Sequence, residues 1–294
     1  MKLASLLAKA EQSLLGETHL AYADKKDAAL EARILFEFVS GKTRAWQIAH
    51  SSDAVDDTEQ EAFNDVIRMR CSGRPIAYIT GKQAFWDLSL EVNSSTLIPR
   101  QDTETLIELA ISLQNHLPDN ARVLDLGTGT GAIALALKKE CPHWRVIGID
   151  TIEDAVMLAR RNASINQLEV EFFQSAWFEK VKIGETDDDD LFSLIVSNPP
   201  YVEQGSSYLW QGDLRFEPLS ALTSGEDGLK DIREIIQQAP AYLLNGGLLM
   251  LEHGFAQAKA IRDLLSARGF KQIETRQDYN QIDRVSFGWW STTN

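Results

Sequence analysis

The stretch ARVLDLGTGTGAIALAL, residues 121–137, decides the fold, because three kinds of local structure follow one another in it without a break. ARVLDLG (121–127) is an apolar run of strand length, and Ala132 to Lys139 carries apolar residues at helical spacing until Pro142 ends the helix. Between them lie Gly127, Thr128, Gly129, Thr130 and Gly131. Glycines there let the backbone turn tightly and approach a ligand with no Cβ in the way. Strand, glycine turn and helix in this order make a nucleotide-type cradle. Gly127, Gly129 and Ala132 also satisfy the dinucleotide pattern G-x-G-x-x-G/A, so the loop by itself does not exclude NAD.

Reading outward, strands and helices keep alternating. RVIGID (145–150) is a strand, Glu153 to Asn166 a helix, and EVEFFQS (169–175) and LFSLIVS (191–197) are further strands. The last is a continuous apolar run of the kind buried on both faces of a parallel sheet. GGLLMLEH (246–253) is another strand, a helix from about Ala256 to Arg268 ends at Gly269, and two strands near 270–276 and 284–290 complete the sheet. This alternation predicts a doubly wound, Rossmann-like α/β domain with ligands at the carboxyl ends of its strands. Asp150 closes the second strand about twenty residues beyond the glycines, where a carboxylate accepts hydrogen bonds from ribose hydroxyls. Capping the helix that begins near Glu153 is its alternative duty.

Before this domain the pattern is helical. Leu3, Leu6, Leu7, Ala10 and Leu14 share one helix face, a second helix runs from about Asp27 to Gly41, and a third follows the capping-box spacing of Thr58-Glu59-Gln60-Glu61. Trp86, Leu88, Leu90 and Val92 then alternate, Asn93-Ser94-Ser95 turns the chain, and Thr96-Leu97-Ile98 resumes an extended run, which predicts a β-hairpin. The expected division is a helical domain over 1–82, a hairpin linker over 83–98 and the α/β domain over 99–294. The acidic run Glu185 to Asp190 reads as a solvated loop.

Composition narrows the function. With 44% hydrophobic and 24% charged residues the chain is globular rather than disordered. A net charge of −14 argues against a surface that neutralises many phosphates, so no direct nucleic-acid partner is expected. The two cysteines, Cys71 and Cys141, form neither a disulfide framework nor, without a His pair at ligand spacing, a metal site. Lys9 and Glu11 break the apolar N-terminal run, and no stretch reaches the length of a membrane span. The expectation is a cytoplasmic monomer.

Asn198-Pro199-Pro200-Tyr201 directly follows the strand 191–197. Each proline fixes its own φ and pushes the preceding residue toward extended geometry, so the Asn198 side chain and the Pro199 carbonyl are held in a rigid array. That array supplies acceptors for an NH2 group, and Tyr201 offers a flat face to a planar substrate. Asp125 before the glycine loop and the extra Gly131 resemble methyltransferase motif I more than a dinucleotide fingerprint. The Asn-Pro-Pro-Tyr motif is shared by N6-adenine and N5-glutamine methyltransferases. The chain resembles most the HemK/PrmC-type release-factor glutamine methyltransferases, through RPIAYITG (74–81), FWDLSLEV (85–92), LIPRQDTE (97–104), DLGTGTGAIALAL (125–137), SNPPYV (197–202), RFEPLSAL (215–222) and LLMLEHG (248–254).

The resemblance implies S-adenosyl-L-methionine as cofactor, no metal, and peptide chain release factors as the protein substrate, methylated on the glutamine N5. It implies catalysis by Asn198, Pro199 and Tyr201, with Pro200 and Arg100 added on the substrate side. The cofactor would lie against Gly127, Thr128, Gly129, Thr130, Gly131, Asp150, Trp177 and Asn198. The chain departs from the family pattern at Gln101, usually proline, and at Ala176, usually acidic, which removes a carboxylate contact to the adenine amino group. An adenine methyltransferase on nucleic acid and a ribosomal-protein glutamine methyltransferase are the neighbouring alternatives, the second distinguished by Asp102-Thr103-Glu104 after Ile-Pro-Arg.

Overall fold

The computed structural model describes residues 1–20, 22, 24–182, 190–210 and 212–292. Most of the acidic run lies outside the described residues. The chain divides into two compact units, Met1–Lys82 with Ser207–Phe216, and Gln83–Ser206 with Glu217–Asn294.

The first unit is helical: α1 Leu3–Leu15, α2 Lys25–Ser40, α3 Arg44–Ala49, α4 Asp57–Cys71 and α5 Ile76–Thr80. Leu3, Leu6 and Leu14 bury one face of α1 among Leu35, Phe36 and Phe63, and the last two rings meet edge to face at 5.4 Å. Removing each such side chain from water contributes about 1.5–3 kcal/mol. The cap of α4 is Asp56, whose carboxylate accepts from Glu59 N at 2.9 Å, so the helix begins two residues ahead of the start implied by a Thr58 box. Arg70, buried, reaches Glu31 at 2.8 Å and Asp213 at 3.0 Å, and these two carboxylates hold its pKa above the ordinary arginine range despite burial.

The second unit starts with the hairpin, which lies earlier than alternation implied. Its strands are β1 Lys82–Phe85 and β2 Leu88–Glu91, turned at Trp86 and Asp87, where Trp86 takes φ 55°. Asn93 does turn the chain, its side chain accepting from Ser95 N at 2.9 Å, but 96–98 forms no strand. Then follow α6 Glu104–Ser112, β3 Arg122–Leu126, α7 Ala132–Glu140, β4 Arg145–Asp150, α8 Glu153–Asn166, β5 Glu171–Gln174 and β6 Phe192–Ser197. The unit ends with α9 Lys230–Gln238, β7 Leu243–Glu252, α10 Ala258–Arg268, β8 Lys271–Gln277 and β9 Asp283–Trp289.

The large sheet has the order β5-β4-β3-β6-β7-β9-β8, parallel from β5 to β7, with β9 antiparallel to both neighbours. Alternate residues serve opposite faces. Val123, Leu194 and Leu248 pack with α6 and α7, whereas Leu124, Ile195 and Leu249 pack with α9 and α10. Every residue of β6 is therefore buried, Ser193 and Ser197 included, as its largely apolar run predicts. From β3 the chain builds outward to β4 and β5, then returns to the other side of β3 as β6. The strand order reverses there, and a crevice opens at the carboxyl ends of these strands. No helix among the described residues is long and apolar enough to cross a membrane.

Candidate active site

A cavity of about 250 Å³ occupies that crevice, entirely within the second unit. Its floor is the turn after β3, where Gly127, Thr128, Gly129 and Thr130 line the space and Gly127 and Gly129 take φ 70° and 55°. Gly131 does not line it. At φ 83° a Cβ there would meet Ala159, Phe172 and Leu135 at 3.2–3.3 Å, so this glycine lets α7 pack against α8 and β5. Thr128 Oγ1 donates to Asp125 Oδ2 at 2.5 Å beneath the loop. Gly148 of β4 leaves the room for that threonine, since a Cβ there would stand 2.8 Å from Thr128 Oγ1 and 2.5 Å from Phe172.

Asp150, at the end of β4, grips the loop: Oδ2 accepts from Gly129 N and Oδ1 from Ile152 N, both at 2.9 Å. The second bond is a local turn rather than a side-chain cap of α8, which has none. Each oxygen keeps a second lone pair for a ligand hydroxyl. Burial pushes the carboxyl up, opposed by these backbone donors. Asp125 is fully buried and pushed up to about 7. Trp177 closes the opposite wall at φ 42°, a strained conformation held by Ser175 Oγ, which donates to Trp177 O at 2.9 Å and accepts from Lys180 N at 3.0 Å. A Cβ on Gly127 would stand 3.6 Å from the indole, filling the gap between loop and ring. A glycine-walled cleft with a carboxylate on one side and a flat indole on the other fits a nucleoside.

Asn198 and Pro200 line the same cavity from the end of β6, while Pro199 is buried behind them. Asn198 Nδ2 donates to Thr103 Oγ1 at 3.1 Å. Oδ1 accepts nothing among the described residues and is the acceptor the side chain still offers. Tyr201 does not line the cavity: its ring packs in the sheet-face cluster and its hydroxyl stands 3.5 Å from Glu252 Oε1. Gln257 Nε2 holds Tyr201 O at 3.0 Å, and Gly228 leaves room for that carbonyl, which a Cβ would meet at 2.2 Å. Arg100 lines the cavity and pairs with Glu217, whose other oxygen accepts from Ile98 N at 3.0 Å.

Several residues here had no role in the sequence reading. Thr103, Glu217 and Glu252 lay inside quoted motifs, but their partners are remote in sequence. Asn162 had a signal: it is polar on the apolar face formed by Val156, Ala159 and Ala163. It donates to Thr130 O at 2.9 Å and Glu91 O at 3.0 Å, and accepts from Glu91 N at 2.7 Å, joining α8, the glycine loop and β2. His253 is buried between Gly254 O and Ser286 Oγ, with its pKa lowered by burial, and lies off the cavity.

A sheet of this order, with a glycine cleft after β3 and an Asn-Pro-Pro-Tyr turn after β6, defines a Rossmann-like methyltransferase. Residues 103–211 match the methyltransferase small domain and residues 14–81 the PrmC N-terminal domain. A methyltransferase structure from Pyrococcus furiosus shares the fold, with TM-score 0.52 at 19% identity over 78% of this chain and 98% of that one. So does a T. thermophilus 16S rRNA methyltransferase solved with AdoMet and guanosine, with TM-score 0.51 at 20% identity over 71% and 49%. The release factor glutamine methyltransferase of Aliivibrio fischeri is 45% identical over 267 residues, 90% of this chain and 91% of its own. That of Pseudomonas aeruginosa is 46% identical over 269 residues, 91% and 95%. The chain belongs to the release factor glutamine methyltransferase family.

Proposed function

We propose that this protein transfers the methyl group of S-adenosyl-L-methionine to the side-chain amide nitrogen of the glutamine in the Gly-Gly-Gln motif of peptide chain release factors. The observation that carries this reading is the tethered Asn198 amide, with Nδ2 committed to Thr103 and Oδ1 left to accept, in the cavity that the glycine loop floors. Gly127 to Thr130, Asp150 and Trp177 would hold the cofactor, which when bound supplies an electrophilic sulfonium methyl. Ala176 stands exposed on the cavity wall in place of an acidic side chain, so contact to the adenine rests on Trp177.

An amide nitrogen is a poor nucleophile because its lone pair is delocalised. Asn198 Oδ1 and the Pro199 carbonyl accept from the substrate NH2 and hold that lone pair toward the methyl. Both acceptors bind more strongly as the nitrogen becomes tetrahedral and positive, which stabilises the transition state rather than the ground state. The surplus proton then leaves the nitrogen to solvent. Tyr201 braces the turn from behind, and Arg100 with Glu217 fixes the segment before α6. Residues 1–82 are assigned to docking the folded factor, in the cytoplasm, by a monomer. The net charge of −14 favours a protein over a nucleic acid as acceptor.

The test is radiolabelled methyl transfer to a release factor, to its Gln→Ala variant in the Gly-Gly-Gln motif, and to duplex and single-stranded DNA. Label is expected on the intact factor alone. Equal label on the Gln→Ala factor, or label on DNA, overturns the assignment.

A further inference from the structure

We propose that Gln257 is a positioning residue that seats the Pro199 carbonyl for catalysis by gripping the carbonyl of Tyr201, two peptide units further along the turn. This rests on the function proposed above and names what holds its second acceptor in place.

Prolines at 199 and 200 remove two consecutive backbone N–H groups, so neither residue is pinned by donating a hydrogen bond. Their rings fix φ. Between the Pro199 and Tyr201 carbonyls, however, ψ of Pro200 and both torsions of Tyr201 have no covalent restraint. The turn must therefore be held from outside. Upstream, Ser197 Oγ donates to Leu126 O at 2.7 Å and ties the end of β6 to β3. Downstream, Val202 N donates to Leu222 O at 2.8 Å, and Val202 O accepts from Ser224 N at 3.0 Å. Between these anchors the carbonyl of Tyr201 accepts from Gln257 Nε2 at 3.0 Å.

The Gln257 amide can face only one way. Its Oε1 accepts from Gly254 N at 2.9 Å, and a backbone N–H only donates, whereas the Tyr201 carbonyl only accepts. Reversed, the amide would set donor against donor and acceptor against acceptor. Gln257 is itself held where α10 begins, its N–H donating to Gly254 O at 3.0 Å and its carbonyl accepting from Ile261 N at 3.1 Å. Gly228, at φ 70°, admits the contact: a Cβ there would stand 2.2 Å from Tyr201 O and 2.8 Å from Gln257 Nε2. A carbonyl enclosed by a glycine and a carboxamide donor has little room to move. A displacement of about 1 Å at a reacting group is enough to cost about a hundredfold in rate.

The experiment compares Gln257→Glu, Gly228→Ala and the double variant Gln257→Glu/Gly228→Ala in the full-length protein. Gln257→Glu keeps the size of the side chain and an acceptor for Gly254 N, but the ionised carboxylate has no proton to give Tyr201 O. Each single variant should lower kcat on the release factor roughly ten- to a hundredfold, with KM and the Kd for S-adenosylhomocysteine within about threefold of wild type. Because both act on one carbonyl, the loss in the double variant should fall short of the product of the single losses. Tyr201-Val202 is the one Tyr-Val step in the sequence, so isotopic labelling of tyrosine carbonyl carbon and valine nitrogen isolates the Tyr201 carbonyl as a single resonance, read without any acceptor. That resonance should move upfield in both single variants, as a carbonyl does on losing a hydrogen bond. Each single variant decides the question by itself, so loss of folding in one leaves the other as the test. Wild-type turnover on the release factor tests the proposed function; the resonance and the ratios among variants test the grip. An unmoved Tyr201 resonance, a kcat within about threefold of wild type, a loss carried by KM alone, or fully multiplicative losses in the double variant would overturn it.

Discussion

Asp150 is the residue on which the glycine loop and the proposed ribose contact both depend. Its two oxygens already accept from Gly129 N and Ile152 N, so Asp150→Ala removes loop anchorage together with ligand contact. Affinity for S-adenosylhomocysteine should fall roughly ten- to a hundredfold, read by calorimetry. Unchanged affinity in the folded variant would show that ribose is held elsewhere. Asn198→Ala should cut turnover by about a hundred- to a thousandfold with little change in cofactor affinity, as expected for loss of one preorganised transition-state acceptor. Tyr201→Phe should be mild and Tyr201→Ala severe in the same assay, because the ring fills the sheet-face cluster while the hydroxyl makes only a 3.5 Å contact. Near-normal turnover in Asn198→Ala would sink the mechanism.

Among elements, α8 shows how a helix placed by its apolar face comes to organise a site through one polar residue on that face. Asn162→Leu leaves Glu91 N and O and Thr130 O without their partner, which should cost about 2–3 kcal/mol, or roughly 5–10 °C in Tm. Thermal unfolding of the variant checks this, and an unchanged Tm would mean that the hairpin and loop are held by other contacts. The helices and strands around the glycine loop were legible because each has one clear period and an unambiguous stop: β6 reads as doubly buried from composition alone. The hairpin was misplaced because alternation runs straight through its turn, Trp86 fitting the apolar phase of Leu88 and Leu90 while its backbone is left-handed. The spacing of Ile232, Ile235 and Ile236 in α9 was present but unread. The site was legible where one residue does one job next to its own strand, as at Gly127 or Asn198. It was illegible where the partner is remote, as with Thr103 and Glu252.

At the scale of the whole molecule, buried acids set the response to pH. Asp125 and Glu252 are each pushed up to about 7 by burial, from ordinary values of 3.8 and 4.5. A folded pKa above the unfolded one means that folding favours the protonated form. The resulting stability is complete below pH 4 and lost as pH rises through about 7. Wild type should therefore lose on the order of 1–4 kcal/mol more than Asp125→Asn between pH 5 and pH 8 in urea unfolding. Parallel pH profiles would show that Asp125 is ionised throughout. The grouping of Ser207–Phe216 with the helical unit had no periodic signal at all, since it rests on contacts such as Arg70 with Asp213, which lie 143 residues apart. That separation has a consequence for biosynthesis. At about 5–20 residues per second, the ribosome releases Arg70 roughly 7–30 s before Asp213. During that interval the nascent helices fold with Glu31 as the guanidinium's carboxylate, and the first-made unit is finished only when most of the later-made one has been translated.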